Sequence, residues 1–167
     1  GDELKTVSEV IKPGDVVWLA YDKAAGWSLG QVPEVQGALV SVDPNTGAIQ
    51  ALTGGFNFEH SKFNRAVQMK RQAGSGFKPF LYYTAFKNLG LTPASVVVDE
   101  PVLLPVAGAP DWRPRNFERD HKGPVILKHA FTQSINTVAA KLVEQTGPDA
   151  VIDTARLCGI TSPMASV

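Results

Sequence analysis

The sequence predicts an α+β fold, with sheet segments first and helices after. Three observations carry this. Two pairs of short β-prone runs joined by turns fill the first third of the chain. A long apolar stretch then opens at Ser75-Gly76-Phe77-Lys78-Pro79, and helix-type patterns closed by glycines fill the last third. At 167 residues the chain is long enough for one domain with a core and too short for two ordinary ones.

The first pair is Val16–Tyr21 and Trp27–Val32, with a Gly-containing turn between them and Pro33 at the end. The second is Ala38–Val42 and Ala48–Leu52 around Asp43-Pro44-Asn45-Thr46-Gly47, where Pro at the second turn position and a closing Gly favour a hairpin. Both its strands are mostly apolar, so the sheet is expected to be covered on at least one face.

Ser75 to Leu89 reads as a helix terminated by Gly90. Phe77, Phe80, Leu81, Ala85, Phe86 and Leu89 wrap most of its circumference, which predicts a central, buried helix. Residues 91–124 hold six prolines and little periodicity, and are expected to be extended surface loop. Pro124 suits a first helical position before VILKHAFT; Asn136–Thr146 forms the next helix, closed by Gly147; Pro148 opens a last one, closed by Gly159.

Composition excludes several classes. Sixteen basic residues balance sixteen acidic ones, leaving no net field to gather nucleic acid, so none is expected as a partner. No apolar run approaches the ~18 residues of a membrane span, and GDELKTVSEV has no signal-peptide core. That leaves a cytoplasmic protein or one whose targeting segment lies elsewhere. Cys158, the single cysteine, excludes an intrachain disulfide and is expected to be a small buried hydrophobe. His60, His121 and His129 never stand at metal-ligand spacing, so no metal or other cofactor is expected. Asp99-Glu100 and Glu118–Asp120 read as solvated faces, and Trp112 and Phe117 as side chains that pack their loop onto the body.

Ser75 and Lys78 are the chemical signal. Pro79 has no N–H and must lie in the first turn of its helix, which places Ser75 at the helix N-terminus. Residues three apart share a face, so Lys78 Nζ is expected to fold back on Ser75 Oγ. Desolvation among Phe77, Phe80 and the sheet would lower the pKa of the amine until it can take the hydroxyl proton. Gly74 and Gly76 flank the serine with minimal bulk and let a substrate carbonyl approach. Spacing alone leaves another reading open, a serine N-cap worth about 1 kcal/mol.

RQAGSGFKPF resembles the active-site stretch of penicillin-binding proteins of the bifunctional class A kind, usually R-Q-P-G-S-[SA]-F-K-P. Ser134-Ile135-Asn136 resembles the family's S-x-N motif, and the similarity runs from about residue 36 to 160. By that resemblance the fold is the N-terminal part of the serine β-lactamase/transpeptidase-like α+β fold, a sheet hairpin plus a helical subdomain over residues 34–167. Residues 1–33 would end a small β accessory module or linker, of the oligonucleotide-binding barrel type.

The resemblance implies Ser75 as acylated nucleophile, Lys78 as its base, Ser134 as proton relay toward the leaving group, and Asn136 and Gly76 as substrate-binding residues. The implied activity is a peptidoglycan D,D-transpeptidase and D-Ala-D-Ala carboxypeptidase. Its partners would be stem peptides and a lipid-linked precursor, with β-lactams as inhibitors, at the periplasmic face of a bacterial inner membrane. Ala73 and Gly76 depart from the pattern, the glycine lowering helix propensity by about 0.5–1 kcal/mol. The third motif, K-T-G, is missing. Lys5-Thr6-Val7 is the nearest string and lacks the glycine. The chain is therefore expected to be a fragment, inactive alone, whose partner is the rest of the domain bearing K-T-G. A serine β-lactamase and a non-catalytic penicillin-binding sensor or scaffold are the alternatives.

Overall fold

Turn chemistry organises the first of two units, Gly1–Arg71; the second is Gln72–Val167. A computed structural model of the chain describes residues 6–105, 108 and 110–166, so Lys5 of the Lys5-Thr6-Val7 string lies outside the described residues. In the first unit, β1 (Trp18–Asp22) and β2 (Gly26–Gly30) pair antiparallel, with Tyr21 opposite Trp27. Asp22 Oδ1 accepts the amides of Ala24 and Ala25 at 2.8 and 2.9 Å, a local bond that turns the chain.

The second hairpin forms as expected, from β3 (Leu39–Val42) and β4 (Ile49–Thr53). Asp43 closes its turn twice: the backbone carbonyl accepts Gly47 N–H at 2.8 Å, and Oδ1 accepts Asn45 N–H at 2.8 Å. The predicted cover is not supplied by the described residues. Both strands are exposed along their length, Leu39 to 56% and Ile49 to 62%.

The second unit begins with a 3-10 turn, Gly74–Phe77, that runs into α1 (Lys78–Leu89) with Pro79 in the first turn and Gly90 left-handed at φ 64°. The helix is buried on one face rather than all round. Leu81, Tyr82, Thr84 and Ala85 are enclosed where α3 (Asn136–Thr146) and α4 (Pro148–Leu157) pack against it, whereas Tyr83 is 58% exposed. Leu127, Ala130, Val138, Leu142 and Val151 complete this core.

The proline-rich stretch 91–124 contains sheet that the prolines obscured. β5 (Val96–Asp99) pairs antiparallel with β6 (Gly123–Ile126), so three β-branched valines outweigh the loop signal once a distant partner is available. Pro124 lies in β6, opposite Val98, and not at a helix start. A two-stranded ribbon has open edges where a residue without N–H is tolerated. The short helix α2 (Leu127–Thr132) starts three residues later, while α3 and α4 keep the predicted bounds. Cys158 is exposed, since it stands just past α4, beyond the residues that pack.

Leu142 is 1% exposed at the centre of this core. Leu142→Ala should lower the unfolding free energy by about 2–5 kcal/mol, read from urea unfolding followed by circular dichroism; a smaller loss would mean the site collapses around the cavity.

Candidate active site

Ser75 sits in the 3-10 turn, exposed, directly after Gly74, whose φ of 55° reverses the chain ahead of it. A Cβ at Gly76 would meet nothing within 4 Å, so the space beside the serine is open on that side. One residue before α1 proper the turn ends, and Lys78 enters the protein.

The Lys78 ammonium has three N–H groups and finds three acceptors. It donates to Ser134 O at 2.7 Å, Ser134 Oγ at 2.8 Å and Asn136 Oδ1 at 2.7 Å. Ser134 Oγ in turn donates to Ser75 Oγ at 3.0 Å. The expected direct fold-back of Lys78 onto Ser75 is thus replaced by a bridge through Ser134. The reason is competition: one neighbouring hydroxyl meets three converging oxygens of Ser134 and Asn136, which together complete the hydrogen bonding of a partly desolvated ammonium. Burial holds the Lys78 amine below its ordinary value, favouring the neutral base.

The α2–α3 loop is held for this purpose. Ser134 takes a left-handed φ of 54°, a strained state for a residue with a Cβ, while Ser134 N–H donates to Phe131 O and Ile135 N–H to Ala130 O. Neither Ser134 nor Asn136 caps α3, whose N-cap residue Ile135 offers no side-chain bond. The cap comes from the proline-rich loop: Asn116 Oδ1 accepts Asn136 N–H at 3.0 Å and Thr137 N–H at 3.3 Å. Asn136 Nδ2 donates to Arg115 O at 2.9 Å, so both ends of its amide are fixed.

Asp99 is not a solvated face. It is buried, and accepts from Thr137 Oγ1, from Asn116 Nδ2 at 2.9 Å, from Lys122 N–H at 2.9 Å, and pairs with His121 Nδ1 at 3.2 Å. Burial by itself would raise its pKa, but the hydrogen bonds from Thr137, Lys122, Asn116 and His121 outweigh it and hold the carboxyl at about 2. Glu118 and Asp120 do face solvent, both paired with Lys122 Nζ. Asn116 lies in WRPRNF, within the stretch that resembles the family, but neither it nor Asp99 is singled out by spacing or composition, and only the tertiary structure brings them to the site.

Ser75, Ser134, Asn136, Asn116, Phe117 and Lys122 line one cleft of about 660 Å³. Phe117 does not pack its loop down; it is 98% exposed, and Trp112 is half exposed, its backbone bridged to Leu104. Among the described residues no group of three His, Cys, Asp or Glu is placed to hold a metal.

An open cleft in which one hydroxyl bridges another to a desolvated amine, on a mixed helical and sheet scaffold, defines a serine acyltransferase fold. Residues 37–166 match the penicillin binding protein transpeptidase domain, and residues 1–35 the penicillin-binding protein OB-like domain. The chain belongs to the penicillin-binding protein transpeptidase family.

It is 44% identical over 150 residues to penicillin-binding protein 1A of Escherichia coli (strain K12), covering 89% of this chain and 17% of that protein. To penicillin-binding protein 1A of Vibrio cholerae it is 39% identical over 150 residues, covering 87% and 18%. The crystal structure of penicillin-binding protein 1A from Haemophilus influenzae aligns with a TM-score of 0.80 at 37% identity, over 87% of this chain and 22% of that one. PonA1 from Mycobacterium tuberculosis in complex with penicillin V aligns with a TM-score of 0.64 at 32% identity, over 80% and 35%. The chain therefore spans under a fifth of the length of these curated relatives.

Because the folded pKa of Asp99 lies below its ordinary value of 3.8, its ionised form stabilises the fold above pH ~4, and that contribution is lost as pH falls toward about 2. Unfolding free energy should drop by about 2 kcal/mol over that window, and Asp99→Asn should remove this part of the acid limb. An acid limb unchanged by the substitution would show that the loss comes from other carboxylates.

Proposed function

We propose that this chain carries the acylation half of a peptidoglycan D,D-transpeptidase. The observation that supports it most is the continuous chain Ser75 Oγ, Ser134 Oγ, Lys78 Nζ, with links of 3.0 and 2.8 Å. With Lys78 neutral, the same links run in reverse. Ser75 Oγ attacks the carbonyl carbon between the two terminal D-alanines of a stem peptide; its proton passes to Ser134 Oγ as the Ser134 proton passes to Lys78 Nζ.

Collapse of the tetrahedral adduct breaks the C–N bond. The ammonium returns its proton through Ser134 to the departing D-alanine amine, leaving an ester on Ser75. An amine of a neighbouring stem then displaces Ser75 Oγ by the mirrored steps; water in its place gives the carboxypeptidase reaction. Asn136, with one Nδ2 hydrogen engaged by Arg115 O, keeps the other for the substrate's amide carbonyl. The open flank at Gly76 admits that carbonyl. A β-lactam would be opened by the same attack and stay bound, a reading supported by the PonA1 relative's complex with penicillin V.

In the same reading the chain acts as part of a longer, bifunctional cell-envelope protein that also takes a lipid-linked precursor and is anchored at the periplasmic face of the inner membrane. The relatives' greater length supports this, and the rest of the domain would supply the K-T-G strand. Residues 1–33 would end the small β accessory module and 34–167 begin the transpeptidase domain. The match of residues 1–35 to an OB-like domain and the β1–β2 hairpin support that division. No described helix is long and apolar enough to cross a membrane. Alone, the chain is expected to be inactive.

In the full-length protein that contains this chain, Ser75→Ala should abolish labelling by a fluorescent penicillin. Lys78→Arg, which keeps the charge but cannot become a base, should slow labelling about 10²–10⁴-fold. The long-lived penicillin adduct should be visible by mass spectrometry; rapid hydrolysis would indicate a β-lactamase, and labelling unaffected by either substitution would leave the serine a structural residue.

A further inference from the structure

Asp99 is the one charged residue among the described residues that is buried, and its side chain has no solvent exposure. It stands at the end of β5, among the residues that border the cleft of Ser75, and outside every motif of the sequence. A carboxylate accepts hydrogen bonds and donates none, so it dictates which way the neighbouring amide of Asn116 points. Nδ2 must face Asp99, at 2.9 and 3.2 Å from its two oxygens, and it reaches Asp120 O as well at 3.0 Å. Oδ1 is thereby turned toward α3, where it accepts the first two amides of the helix, Asn136 N–H and Thr137 N–H.

Were the Asn116 amide reversed, two N–H donors would face two orphaned backbone donors, and the start of α3 would lose its cap. The next link is Asn136 itself, whose Oδ1 accepts from Lys78 Nζ at 2.7 Å, two residues after the strained Ser134. Thr137 Oγ1 also donates to Asp99 and lies 3.3 Å from Asn116 Oδ1, so it belongs to the same cluster. Asp99 thus orders the start of α3 both through the Asn116 amide and through Thr137 Oγ1.

We propose that Asp99 is a positioning residue for the acylation step, acting through the amide of Asn116 to set Asn136 and Ser134 against Lys78. This rests on the acyl-transfer reading above. The ionised state it needs is secure at neutral pH, because the carboxyl titrates near 2. The sequence offers no local sign of it, since Asp99 ends β5, Asn116 lies 17 residues on in the proline-rich stretch, and the two meet only in the folded protein.

The test uses the full-length protein, with Ser75→Ala as the control that decides the reading itself: labelling that survives in it sinks that reading, whatever Asp99 does. Asp99→Asn should lower the first-order acylation constant at saturating penicillin about 10–100-fold with little change in the penicillin concentration for half-saturation. Hydrogen exchange at the amides of Asn136 and Thr137 should quicken in the penicillin-free protein. Leu142→Ala, a core change outside this network, should lower the melting temperature without slowing acylation, and Asp99→Glu should recover part of the rate.

Acylation at the normal rate in Asp99→Asn, or slowing in Leu142→Ala in proportion to its lost stability, overturns the proposal. If Asp99→Asn fails to fold, Asn116→Leu carries the same test. Slower acylation with faster exchange at Asn136 and Thr137 then supports the proposal, and unchanged exchange there overturns it.

Discussion

A half-buried ammonium must have its three hydrogens accepted, and this requirement governs the second unit of the chain. Lys78 leaves the start of α1 beside Phe77 and Phe80 and finds its acceptors 56 and 58 residues later, on Ser134 of the α2–α3 loop and on Asn136, the first residue of α3. These bonds tie α1 and the turn before it, which carries Ser75, to Ser134 and the start of α3. They also offset the strain of Ser134, whose φ of 54° costs of order 1–3 kcal/mol. A hydroxyl is the right partner for such an amine. It accepts from the ammonium and donates to the free base, so the same contact survives a change of protonation and can conduct the proton in the proposed reaction.

Around this contact the polar groups are shared out without duplication. Because Asn116 caps α3 from another segment, Ser134 and Asn136 are released from the capping work that such residues ordinarily do at a helix start, and their side chains face Lys78 instead. Because Asp99 collects Thr137, Asn116, Lys122 and His121, the loop with six prolines is drawn onto β5 although little of it is regular structure. The buried acid stays charged because its lone pairs are taken, at the end of a strand otherwise made of valines.

Where a structural signal is local, it is legible in the chain. Asp43-Pro44-Asn45-Thr46-Gly47 makes its turn from its own atoms, and α3 and α4 begin and end at the residues that a cap-and-glycine reading marks. Where a signal depends on a distant partner, it is not. Val96–Asp99 becomes a strand only because Gly123–Ile126 pairs with it, and Pro124 can sit in that strand because the ribbon has an open edge. The apolar rims of α1, Cys158 and Phe117 look like core by composition, yet lie where no described element covers them. Asp99 looked solvated because two acidic residues in a row among prolines are usually so; burial followed from hydrogen bonds that cross 17 to 38 residues.

The sequence by itself determined the inventory: a serine at a glycine-flanked turn, a lysine one turn on, a proline that forces the helix to start there, and a second Ser-x-Asn pair at a helix N-terminus. Propensity, capping and turn chemistry act within a few residues, so these could be read in order. Only the tertiary structure decided which atoms meet. Lys78 binds Ser134 and Asn136 rather than Ser75, and an unmarked asparagine and a buried aspartate hold them, because hydrogen bonds are satisfied by whatever acceptor the packed fold delivers, not by the nearest residue along the chain.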